Sequence, residues 1–116
     1  MAIFTKPYQN ADCFSFIVQC RLGFGSLLSV LVQAFKQSQD GKGYRRHGRH
    51  SSFESQPIMT ITRSVGLGFP LGQALKKIQE VTTADFTAEQ KRDELLGAIV
   101  YLAAAILHLE TANDTK

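Results

Sequence analysis

Gln56 to Val81 reads QPIMTITRSVGLGFPLGQALKKIQEV, and the fold turns on how this stretch is parsed. Its punctuation predicts two short helices joined by a glycine-rich corner. Pro57 suits the first turn of a helix, with Ser55 or Gln56 as cap, and Gly66 stops it. Phe69-Pro70 then restarts the chain. Leu71, Ala74, Leu75, Ile78 and Val81 recur at i, i+3, i+4 and i+7, the mark of an amphipathic helix, with Lys76, Lys77 and Glu80 off that face.

On the C-terminal side, Thr87 and Gln90 have the spacing of a capping box. They open a helix predicted from Ala88 to Glu110, apolar almost all round from Leu95 to Leu109. Such a helix sits at the centre of its domain or is buried against another subunit. On the N-terminal side, residues 39–55 form a polar, glycine-punctuated loop, the most basic segment of the chain. Before it, Ser26 caps a predicted helix Leu27–Ser38, with Leu27, Leu28, Leu31, Val32 and Phe35 at helical spacing and Gly41 closing it. Asn10 suits the cap of a helix from Ala11 to Leu22, ended by Gly23. Phe14, Phe16 and Val18 also alternate as a strand would, so residues 12–20 stay open between helix and strand. Residues 1–9 and 111–116 read as flexible ends.

A chain of 116 residues supports one domain with one modest core. The sequence thus predicts a single all-α domain over 1–116 of four or five helices. The helical pair 57–81 packs on the long helix 88–110. The apolar excess of that last helix predicts a homodimer or larger assembly. Leu96, Ile99, Leu102, Ala103 and Ile106 would be shared between core and interface.

The net charge of +3 is unevenly placed. Residues 1–77 carry ten Lys/Arg against three acids, a balance of +7, and residues 78–116 carry three against seven, a balance of −4. Such asymmetry serves an anionic ligand or lets copies meet head to tail. Cys13 and Cys20, two helical turns apart, would be separated by about 10 Å, too far for a disulfide. They read as buried free thiols of a reducing cytoplasm. No basic n-region leads an apolar run at the N-terminus. The run Leu95–Leu107 is shorter than the roughly 18–20 residues of a membrane span. A cytoplasmic protein without a membrane partner is therefore expected.

Two constellations could carry chemistry. The first is the loop Lys42, Tyr44, Arg45, Arg46, His47, Arg49, His50. Its guanidinium groups suit bidentate phosphate contacts and its glycines permit close backbone approach. A solvated loop is the bland alternative. Base-specific nucleic-acid binding ranks lower, because no recognition helix carries base-reading side chains. The second is a stripe on the last helix, Glu94, Ala98, Tyr101, Ala105 and His108, with Gly97 at its edge. Glu94, Tyr101 and His108 are the catalytic candidates, with Glu94 or His108 as acid or base. The plainer reading is close helix packing against the small residues. No metal site is expected: a carboxylate cage would draw on Glu89, Asp93, Glu94 and Glu80, too few hard ligands for Mg²⁺ unless a nucleotide brings it. No GxxxxGK[ST] phosphate loop is present.

The same central stretch resembles the SaV-like family of small phage-borne proteins. The likeness rests on Pro57, Ile58 and Ile61, then Gly66, Leu67, Phe69, Leu71, Gly72, Ala74, Leu75 and Lys76. Tyr101, Leu102, Ile106 and Leu109 follow in the second helix. It covers residues 56–110. One branch of that family is assigned as nucleotide kinases lacking a Walker loop. The resemblance therefore implies nucleotide handling in a phage or mobile-element setting, with Lys76 as the charged position carried over. The residues after Lys76, namely Lys77, Gln79 and Glu80, depart from the family pattern. The sequence thus favours a protein that binds a nucleotide or other phosphorylated ligand through Arg45, Arg46, Arg49 and Lys76, with catalysis left open. The alternative is a non-catalytic oligomeric interaction protein.

Overall fold

The computed structural model describes residues 20–41 and 52–114. It is all-α, and no strand occurs among the described residues. Four α-helices and one 3₁₀ turn follow in order. They are α1 (Gly25–Asp40), the 3₁₀ turn (Phe53–Ser55), α2 (Pro57–Val65), α3 (Gly68–Thr83) and α4 (Ala88–Asp114). The long α4 is the spine: α1, α2 and α3 all pack on it, α3 most extensively.

The central stretch folds as its punctuation dictates. Pro57 occupies the first turn of α2, where its missing N–H costs nothing. Gly66 ends that helix at φ +91° and ψ −170°, a region only glycine enters freely. Its N–H still donates to the Thr62 carbonyl at 2.7 Å. The corner is tight enough that α3 restarts at Gly68, and Pro70 falls in its first turn, buried. Arg63 donates to the Glu54 carbonyl at 2.7 Å, fastening α2 back onto the 3₁₀ turn.

The capping box forms reciprocally. The Gln90 N–H donates to the Thr87 hydroxyl at 3.1 Å, and the Thr87 N–H donates to the Gln90 side-chain carbonyl at 2.9 Å. α4 then runs for 27 residues, about 40 Å at 1.5 Å per residue. It extends past the expected end at Glu110. By length and composition the segment Ala88–Thr111 suffices to cross a membrane. The expectation of a segment too short to span counted only the uninterrupted apolar run. A helix tolerates Glu94, Tyr101 and His108 within the longer segment.

Other expectations need correction. Ser26 does not cap α1, which begins one residue earlier and has no side-chain cap. Gly41 does close it, its N–H donating to the Gln37 carbonyl at 3.1 Å. Residues 20–24 are not the end of a helix: Leu22-Gly23 make a turn, with Gly23 at φ +93°. Cys20 is accordingly exposed, not buried. Cys13 and the rest of the predicted helix 11–22, with its strand alternative, lie outside the described residues.

The core consists of small side chains. Ala34, Met59, Thr62, Pro70, Ala74, Leu96, Ala98, Ala104 and Ala105 are buried. Thr62 is fully enclosed, and its hydroxyl is satisfied by the Ile58 carbonyl at 2.6 Å. Many of the large apolar side chains on the predicted helical faces are outside it. Leu27, Leu31, Val32 and Phe35 of α1 and Leu71, Leu75 and Ile78 of α3 are exposed, as are Leu95, Leu102, Ile106 and Leu109 of α4, a helix for which the sequence left open burial against another subunit. The buried face of α3 is Pro70, Ala74 and the half-buried Lys77 and Val81, rotated from the Leu71–Leu75–Ile78 face. Helices that approach closely need small residues at the contact. Five alanines therefore take inside positions, and most leucines are turned outward.

Candidate functional site

Where α3 crosses α4, the sequence places a lysine opposite a glycine. Gly97 leaves a gap on α4 that the Lys77 stem fills. A Cβ at position 97 would stand 3.1 Å from Lys77 Cε and 3.3 Å from its Nζ. Guided along this gap, Lys77 Nζ reaches Glu94 Oε2 at 3.3 Å. Both side chains are largely shielded, 24% and 19% exposed. The Tyr101 ring, one turn beyond Gly97, stands 6.0 Å from the same ammonium, at the outer reach of a cation–π contact. Phe69, at the start of α3, meets Tyr101 edge-on, with ring centroids 6.0 Å apart and planes at 82°. Phe69, Lys77, Glu94, Gly97 and Tyr101 therefore make one strip along the α3–α4 crossing.

This strip contains two of the three sequence-predicted catalytic candidates, Glu94 and Tyr101. Its chemistry is that of a fastening. The carboxylate and the ammonium neutralise each other. Among the described residues no buried side-chain polar atom lacks a hydrogen-bond partner. His108, half-buried, lies fourteen residues beyond Glu94 on the same helix. That is about 21 Å of axial rise, too far for both to serve one reacting centre. Ala98 and Ala105, the small members of the stripe, are buried, as close packing of α3 on α4 requires. The described residues contain no group of three or more His, Cys, Asp or Glu that could hold a metal ion.

The predicted phosphate contacts are not brought together. Arg45, Arg46 and Arg49 lie outside the described residues, as do Lys42, Tyr44, His47 and His50. Lys76 projects into solvent, 69% exposed, 3.9 Å from Glu80 one turn on. The lysine drawn into the helix crossing is its neighbour Lys77, which was expected off the packed face. A signal for this exists in the chain. Pro70, Ala74, Lys77 and Val81 follow i, i+4, i+7 and i+11, so a face chosen for small residues includes Lys77 and leaves Lys76 out. Phe69 was read as a boundary residue. Its pairing with Tyr101 depends on tertiary contact and leaves no local mark.

At the other flank of α4, the Gln37 amide donates to the Asp93 carbonyl at 3.3 Å, joining the end of α1 to the opening of α4. Among the described residues, Leu95, Leu102, Ile106 and Leu109 of α4 stay exposed. Comparison of the chain with protein-family models, curated proteins and solved structures gives no match.

Proposed function

We propose that this chain is a non-catalytic interaction protein that works as an assembly of copies, with its exposed aliphatic surface as the working part. The observation that carries this is an inversion of size: Ala34, Ala74, Ala98, Ala104 and Ala105 are buried, while most leucines and Phe35, Ile78 and Ile106 remain outside. Exposed apolar side chains scattered singly are ordinary, but runs of them along three helices mark a surface that meets something. The Lys77–Glu94–Tyr101 strip supports the same reading, because its charges are engaged in holding α3 to α4.

The test is sedimentation of the full chain at low micromolar concentration, compared with Leu102→Asp and Ile106→Asp. Both positions are exposed in the protomer. The variants should therefore keep helical circular dichroism and sediment as monomers, while the parent sediments as a dimer or larger. A parent that stays monomeric at 100 µM would refute the proposal.

Phosphate-ligand binding ranks second. It rests on Arg45, Arg46 and Arg49 and on the solvated Lys76. A thermal-shift panel of nucleotides decides it. A ligand held at 100 times its Kd would stabilise the fold by about 2.7 kcal/mol, whereas the assembly reading expects a flat panel.

A further inference from the structure

A line of apolar residues on α4 has a period. Leu95, Ile99, Leu102, Ile106 and Leu109 follow steps of four, three, four and three residues. This is the heptad alternation of a coiled-coil seam, with Ile at both a positions and Leu at all three d positions. In the protomer Leu95 is 44%, Leu102 42%, Ile106 57% and Leu109 48% exposed, and Ile99 is half-buried. Among the described residues α1, α2 and α3 all pack on this helix, yet four of the five seam side chains stay exposed. Ala103 beside the seam is exposed and small, which lets a second helix come close.

We infer that this seam pairs with the same seam of a second copy, the two α4 helices running antiparallel about a two-fold axis. The inference rests on the assembly reading above and names its partner and geometry. The ends of the seam fix the direction. Arg92 continues the heptad line at the next a position, and Glu110 flanks its far end. Both are exposed, and the Arg92 guanidinium lies 4.0 Å from Asp93 in solvent. A parallel pair would press Arg92 against its own copy and Glu110 against its own copy. An antiparallel pair sets Leu95 against Ile106 of the partner subunit, Ile99 against Leu102 of the partner subunit, and Arg92 beside Leu109 and Glu110 of the partner subunit. Each end then joins opposite charges, and edge charges are what choose the orientation of a coiled coil. The contact is isologous, so it closes at two copies. A bilayer is the competing cover for an apolar helix. It gives no reason for a 4-3 line and disfavours Arg92 on that line.

The experiment uses the full chain with Cys13→Ser and Cys20→Ser. One batch carries Arg92→Cys, another Leu109→Cys, and the two are mixed and mildly oxidised. The mixture should form a disulfide-linked pair of one copy of each, and Leu109→Cys alone should not cross-link. Arg92→Glu and Glu110→Arg should each weaken dimerisation about tenfold, and the double reversal should restore it. Cross-linking of Leu109→Cys alone would mean a parallel pair and overturn the geometry. A dimer by sedimentation that neither cross-links nor responds to charge reversal would place assembly on another face, ending this inference while the assembly reading stands. A monomer throughout, or flotation of the chain with phosphatidylcholine vesicles through α4, would end both.

Discussion

Lys77 decides more than any other single side chain, because three neighbours depend on where its stem lies. Gly97 gives it room, Glu94 receives its charge and Tyr101 flanks it. Gly97→Ala should therefore have two opposed effects. A helical Ala is worth about 1 kcal/mol over Gly, while displacing Lys77 gives up a shielded ion pair worth about 1 kcal/mol. Overall stability should barely change. The separable readout is a double-mutant cycle on Lys77→Met and Glu94→Gln. Coupling of about 1 kcal/mol in the parent should fall towards zero in the Gly97→Ala background. Undiminished coupling would show that Lys77 reaches Glu94 by a route that does not need the glycine. The sequence placed Glu94, Gly97 and Tyr101 on one strip correctly, since that needs only helical geometry. It set both Lys76 and Lys77 off the packed face, and only Lys76 lies there. A step of 100° around a helix separates the solvated Lys76 from the packed Lys77, and side-chain chemistry does not distinguish them.

Among the elements, the corner between α2 and α3 and the opening of α4 were both legible, for the same reason. Each is a local solution to unpaired backbone groups, written in residues close together in sequence. Gly66→Ala should destabilise the fold by about 1–3 kcal/mol, because the backbone at φ +91° suits no Cβ even where space is free. Chemical denaturation with an unchanged m-value would confirm a loss of this kind. Thr87→Ala should cost about 1 kcal/mol by removing one half of the reciprocal cap. Thr87→Ser should recover most of that. What the sequence did not give away is the orientation of α1 and α3. Amphipathic reading assigns the largest hydrophobes to the interior and predicts Leu71, Ala74, Leu75, Ile78 and Val81 as the packed face of α3. Of these only Ala74 and Val81 lie on it, beside Pro70 and Lys77, while Leu71, Leu75 and Ile78 face outward. The spacing of Pro70, Ala74, Lys77 and Val81 carries the packed face, but a reading that weights side chains by hydrophobicity favours the leucines beside it.

For the molecule as a whole, the all-α class and the packing of the 57–81 pair on the last helix were readable in advance. A periodic apolar pattern and a capped 27-residue helix leave few alternatives. Substitutions should divide by location. Ala104→Leu enlarges a position that is fully buried, and overpacking there should cost about 1–3 kcal/mol and disturb the protomer itself. Ile106→Asp, two residues on but facing out, should leave the protomer folded and separate the copies. Urea titration followed by both helicity and sedimentation would show the first variant shifted in both measurements and the second in sedimentation alone.

One consequence follows from an interior built of alanine. Alanine contributes little transfer free energy per residue, so a core of this kind leaves one copy a thin margin, and the pairing proposed above would add to it. Dilution should then lower the melting temperature, and in a cell the quantity of intact protein would rise more steeply than the dose of its gene.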